Sequence, residues 1–409
     1  MESMRKCICH SPISGGRLNG QFGLTRNAQA GFMKTKALRK FLFVAVLAVS
    51  FAGVLQFNAA PSDGEETAEI ASGMEAEQRA AAERAKDAAW KPACAEVGLI
   101  QVGDKKHPGA LRNFCLGADG NLLTCYAPVG GNDSPAIRVY SPQGGLLKTM
   151  PLEIKPGAIC VAKDGTIFVA GDGRVLKLDA TGKVLASAAS PVANEAVTIS
   201  KETEEMIKEM ANQTKRPFAE EMARMKENLE RRRGEVTGLA VTDRDVFMAV
   251  PSPNDFTFRV YRFSEALTGP KLVVQKLRGC CGQMDIQAHN GKLWIAHNAR
   301  HSVQTMDRDG NELSKFGKAG KVKASDFGGC CEPKCLRVLP DGDILAAESG
   351  PPTCIKRFSS TGKFKEVVGI VPNAKGDCVR VTVAASPDGR QYYMLDTTQD
   401  AIRVFGSKS

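Results

Sequence analysis

Aromatic side chains are scarce in this chain of 409 residues, at 6%, with two tryptophans. That poverty excludes an aromatic platform on which bases or sugars stack. Histidine is equally rare, with five in all, and no Ser-His-Asp arrangement or paired carboxylates with a stated mechanism stand out. Glycine-rich stretches such as 129–133 lack the Lys-Ser/Thr ending of a phosphate loop and read as turns. The formal net charge of +10 suggests a polyanion partner until it is located. Residues 1–40 carry +7 of it, which leaves +3 for the rest, too little for a phosphate-backbone footprint. Nucleic acid is therefore not an expected partner.

The basic residues precede the one long hydrophobic run. Lys34, Lys36, Arg39 and Lys40 lead into an apolar segment from Phe41 to Leu55 that extends to Ala60. Cations followed by an apolar core are the marks of an export signal or a membrane anchor. Cleavage after Ala60 puts Asn58 and Pro61 at unfavourable positions, so anchor and cleaved signal both stay open. The expected location is the cell membrane, single-pass with the main domain extracytoplasmic, or a secreted or periplasmic space. The chain then divides into a basic segment 1–40, a signal or anchor 41–60, a polar then helical linker 61–95 and a large domain 96–406. Within the linker, residues 71–90 are rich in Ala, Glu, Arg and Lys and predict a helical spacer.

Glycine is abundant, forty residues in all, and it marks a repeat. Strand–turn–strand units recur at 115–127, 160–171, 239–250, 286–297, 337–348 and 383–395, mostly around Asp-Gly turns. Third strands follow, as at 136–140, 174–179, 258–263, 302–307, 354–359 and 401–405, and a second turn leads to a fourth. The turn glycines Gly120, Gly165, Gly291, Gly342 and Gly389 repeat every 45 to 51 residues, once an insertion and the glycine-free third unit are allowed for. Four strands at this period predict an all-β, six-bladed β-propeller. The last repeat lacks its fourth strand, whereas residues 96–102 precede the first without a partner. This strand is expected to complete blade six and remove an open edge. Residues 195–235 break the rhythm and predict a helical hairpin insert, with Ser200 as its cap and a Met-rich stripe that packs its helices together or onto the propeller, or else meets a partner.

The segment IAHNARHSVQTMDRDGNELSKFGKAGK (295–321) resembles an NHL repeat in its small-residue loop, Asn-x-x-His and D-x-D-G turn. LRVLPDGDILAAESGPPTCIKRFSSTGKF (336–364) is similar but lacks the Asn and His. The resemblance implies a domain that binds proteins or small ligands, and some such propellers are metal-dependent lyases or lactonases. No catalytic residues carry over, and a non-catalytic binding module is the expectation.

Eleven of thirteen cysteines follow the hydrophobic run. Cys280 and Cys281, then Cys330, Cys331 and Cys335, crowd together, joined by Cys354. Cys281, Cys331 and Cys378 precede their turn glycines by 10 or 11 residues, which places them alike in successive blades, near the channel on the face opposite the Asp-Gly turns. That face is the expected ligand or partner surface, with Arg300 in its loops. Three chemistries fit the cysteines: disulfides, including Cys115 with Cys160; a metal or cofactor site; and free or redox-active thiols. His297 and His301 offer imidazoles for a divalent metal, although the second also matches the packing histidine of the repeat. A lyase or lactonase with its metal in the channel, and a redox protein holding a cofactor through cysteines, are the alternatives.

Overall fold

The computed structural model describes residues 64–103, 110–128, 133–279, 282–371 and 378–407. Its contacts divide the chain into two units, one of which, His10–Ala76, is described only at its helical end. The hydrophobic segment 41–60 lies outside the described residues, and no described helix is long and apolar enough to cross a membrane.

Six four-stranded antiparallel sheets follow one another along the chain. Their innermost strands are Leu111–Leu116, Ala158–Val161, Gly238–Val241, Ile286–His289, Cys335–Val338 and Val383–Ala385. Each contacts the innermost strand of the next blade, and the sixth returns to the first. The fold is a six-bladed β-propeller.

Sequence explains the radial gradient. Second strands such as Leu122–Tyr126, Ile167–Gly171 and Ile344–Glu348 are buried at every position. They lie between two neighbouring blades, so both faces are covered and they read as predominantly apolar runs. Outermost strands such as Leu146–Pro151 are mostly exposed, Leu146 and Leu147 included. Six apolar clusters fill the six gaps between blades. Phe114 and Tyr393 meet between blades six and one, and Phe327 and Phe358 between four and five. The turns between first and second strands work by backbone geometry. Gly165 and Gly342 sit at φ +86° and +85°, and Asp164 and Asp341 accept backbone N–H groups at 2.9 Å.

Ring closure takes the form expected. Strand Ala95–Gln101 pairs antiparallel with Ala401–Gly406 and is the outermost strand of blade six. Arg403 reaches Glu96 at 2.8 Å and Asp396 at 2.7 Å, tying this strand to the two inside it. The fully buried Asp400 accepts the Ala110 and Leu111 amides, both at 3.1 Å, and so fastens blade six to the start of blade one.

The linker helix runs Gly64–Arg84, and from Glu77 onward the linker is docked on the propeller. Arg84 donates to the Lys321 carbonyl at 2.8 Å, and the buried Trp90 indole donates to the Val322 carbonyl at 2.6 Å. Trp90 then packs with Ala324, Cys354 and Val367. The reading of residues 71–90 as a polar spacer underrated this one large anchor. The insert forms helices Lys201–Thr214 and Phe218–Arg232 between blades two and three. Ser200 caps the first through the Thr203 amide at 3.2 Å. Ile207, Ala211 and Leu229 are buried at the helix interface, while Met206, Met210, Met222 and Met225 are half-buried, as packing residues are.

Deleting residues 96–102 removes the closing strand and bares the edge of blade six. The expected outcome is loss of soluble folded protein, followed by circular dichroism melting and sedimentation. A melting profile equal to that of the full chain would contradict the closure.

Candidate functional site

The loops that enter the inner strands of blades five and six bring three cysteines together. Cys330 Sγ lies 3.3 Å from Cys331 Sγ and 3.0 Å from Cys378 Sγ, and Cys331 is 3.7 Å from Cys378. The three sulfurs form the one group of metal-ligand type found among the described residues. All three distances exceed the ~2.0 Å of an S–S bond. Among the described residues no disulfide joins two cysteines, so the expected disulfide framework is not seen there. Cys115 and Cys160 do approach the same cavity, as their equivalent offsets implied, but remain unbridged.

Charge is built in beneath the sulfurs. The Lys334 ammonium, on a fully buried side chain, donates to Cys331 Sγ at 2.7 Å. A cation hydrogen-bonded to sulfur favours the thiolate, which is the metal-binding and nucleophilic form. Cys331 is buried and Cys330 half-buried, so the cluster is reached from the protein surface at one side.

Two buried carboxylates hold the loop that carries these groups. Glu332 Oε1 accepts hydrogen bonds from the Ser349 amide and hydroxyl, both at 2.9 Å, and from the Gly350 amide at 2.8 Å. Glu348 accepts the Gly328 amide at 2.7 Å and pairs with the buried Lys356 ammonium. Lys356 also donates to the Asp326 carbonyl at 2.6 Å and sits 4.7 Å from the centre of the Trp90 ring. Loop 317–334 is thereby locked to blade five and the docked linker. Burial raises the Glu332 carboxyl to about 8, with Lys334 opposing and Glu348 adding to the shift.

The other residues singled out by sequence lie elsewhere. Cys280 and Cys281 lie outside the described residues. Cys335 is buried in the inner strand, where its sulfur accepts the Val383 amide at 3.4 Å, and burial pushes its thiol well up. Cys354 is buried in the Trp90 cluster, its thiol likewise raised by burial. Arg300 is exposed at the end of the turn Asn298–Arg300. His297 uses both ring nitrogens inside blade four, one toward the Arg278 amide at 3.0 Å and one toward Gln304 at 2.9 Å. No nitrogen of His297 is left over for a metal shared with His301, whose Nε2 lies 3.4 Å from the Gly329 carbonyl.

The channel is crossed at its loop end. Arg380, from blade six, donates to the Gly157 carbonyl of blade two at 3.1 Å and the Gly282 carbonyl before blade four at 3.3 Å. Thr382 and Asn113, 2.8 Å apart, and Gln283 with the Val381 carbonyl at 2.7 Å complete the crossing. Below it lies a cavity of about 230 Å³ at the end nearer the Asp-Gly turns. Sequence reading placed all the interest on the loop face and missed this cavity, along with Lys334, Glu332, Glu348 and Lys356. One signal was present: Glu348 and Lys356 are charges inside strands that otherwise read as buried.

No protein-family model and no curated protein matches the chain. Solved structures do. A streptogramin B lyase aligns at 13% identity and TM-score 0.45, over 76% of this chain and 87% of its own. A gluconolactonase from Xanthomonas campestris aligns at 10% identity and TM-score 0.45, over 77% and 98%. A protein of unknown function from Bacteroides thetaiotaomicron aligns at 12% identity and TM-score 0.49, over 77% and 75%. Likeness at this level says nothing of activity, and the propeller assignment rests on the strand order itself.

The Glu332 carboxyl is raised in the fold, so the native state holds a proton that the unfolded chain releases. Its contribution to stability is complete below about 4.5 and declines as pH rises toward about 8. Glu332→Gln should flatten that decline, by at most about 1.4 kcal/mol per pH unit, in denaturant melts across the range. Parallel pH profiles for the two proteins would contradict the assignment.

Proposed function

We propose that this protein is a non-catalytic binding propeller, exported or membrane-anchored through residues 41–60, that takes a thiophilic metal ion on its cysteine-rich face. The observation that carries this reading is the convergence of Cys330, Cys331 and Cys378 with Lys334 at 2.7 Å from Cys331. Three sulfur donors select soft or borderline ions such as Cu(I) or Zn(II) over hard, oxygen-seeking ones. Lys334 offsets part of the negative charge of three thiolates and orients one of them, as outer-sphere hydrogen bonds do in thiolate sites.

The setting supports the same reading. In an oxidising compartment, three neighbouring thiols persist as thiols when a metal occupies them. The NHL-like repeats at 295–321 and 336–364 fit a domain whose loops present ligands to partners. A lyase or lactonase asks instead for oxygen or imidazole donors converging on the channel. Among the described residues the convergent donors are sulfurs, and Arg380 spans the channel mouth.

Purified full-length protein, reduced anaerobically and titrated with Zn(II) or Cu(I) against a chromophoric chelator, should take up about one ion per chain. Cys331→Ser should weaken uptake by at least roughly tenfold, and Lys334→Met by less. Uptake unchanged in Cys331→Ser, or no uptake that competes with the chelator, would overturn the reading.

A further inference from the structure

The cavity below Arg380 is separate from the thiol cluster and has its own chemistry. Aliphatic side chains, including Leu116, Ile159 and Val161, form part of its wall. Three polar features interrupt them: the Cys115 and Cys160 thiols, the Gln287 amide and the Arg337 guanidinium. Gln287 spends its N–H on the Ile286 carbonyl at 2.7 Å, so it presents its oxygen elsewhere.

Arg337 is the anomaly. Its one hydrogen bond to protein among the described residues is a 3.4 Å contact with the carbonyl of Leu336, its own neighbour. Among those residues no carboxylate forms an ion pair with it, unlike Arg357 and Arg403, which pair with Asp343 and Asp396. The buried Asp285 acts on Arg337 through its charge without forming an ion pair, and accepts the Leu336 amide at 2.9 Å. A guanidinium facing a partly aliphatic space with most of its five donors uncommitted has hydrogen bonds to offer a ligand.

We infer that the cavity is a binding site for a small monocarboxylate with a short apolar chain, its carboxylate held by Arg337 and its chain lying against Leu116, Ile159 and Val161. The planar fork of Arg337 matches a carboxylate in two parallel hydrogen bonds. A monocarboxylate needs only this one fork, whereas a phosphate dianion would be left short of donors here. Burial pushes the Cys115 thiol up to about 12 and the Cys160 thiol higher still, so both line the site as neutral groups. Asp285, whose carboxyl burial raises against the opposing pull of Arg337, is already engaged by the Leu336 amide. With the loop end crossed by Arg380, the ligand enters from the Asp-Gly-turn face. A volume of about 230 Å³ suits an acid of a few carbons and not a nucleotide.

The test is calorimetric titration of the full chain with butyrate, n-butanol and inorganic phosphate. Butyrate should bind saturably, and butanol and phosphate should not. Arg337→Gln should weaken butyrate by at least roughly tenfold, as should Cys160→Leu, which leaves the charge in place and fills the space. Should Arg337→Gln fail to fold, Cys160→Leu and the butyrate–butanol contrast in the unaltered protein decide the matter. Butanol binding as well as butyrate, phosphate binding more tightly, or equal butyrate affinity in the variants would overturn the site.

Discussion

Everything in this molecule depends on burying both faces of each blade. A four-stranded sheet leaves two apolar surfaces in water, and only neighbours on both sides remove them. The second strands show the constraint most plainly, since they are predominantly apolar and buried throughout. Such a stack must either end in capping blades or close on itself. Here it closes, through an N-terminal strand held by backbone pairing and by the Arg403 bridges to Glu96 and Asp396. Closure makes six equivalent loops converge on one axis, and that convergence creates the candidate sites.

Cysteines at like offsets in separate repeats are far apart in sequence, yet Cys331 and Cys378 approach to 3.7 Å because blades five and six are neighbours at the axis. Precise placement of sulfurs needs a rigid loop, and burial supplies it at an electrostatic cost. Lys334, Lys356, Glu332 and Glu348 are all nearly inaccessible to solvent. Buried charges are tolerated only with close partners: Lys334, Lys356 and Glu348 find theirs in each other, in backbone groups and in a sulfur, and burial keeps the proton on Glu332 up to about 8. The linker joins the arrangement through Trp90, whose ring faces Lys356.

The fold was legible in the sequence because its signals are local and repeated: Asp-Gly turns, short apolar strands and a constant period. The missing last strand and the orphan first strand revealed even the closure. The insert was equally readable from Ser200, the acidic first turn and the helical spacing. The site was legible in part. Equal offsets from turn glycines placed Cys331 and Cys378 alike, but they carried no information on which sulfurs meet. His297 and His301 looked like ligands because spacing alone does not show that Gln304 and the Arg278 amide engage one ring on both sides. Lys334 was invisible for another reason: a lysine in a Gly- and Pro-containing loop reads as solvated, and only the packed structure turns it toward a sulfur.

The central claim is that sulfur from two neighbouring blades holds one metal ion. X-ray absorption at the metal edge of the Zn(II)-loaded protein addresses it directly. A sulfur-dominated shell at about 2.3 Å, with sulfur scatterers lost when Cys378 is replaced by serine, is the predicted result. A first shell of nitrogen and oxygen alone, or one unchanged by that replacement, would contradict the account.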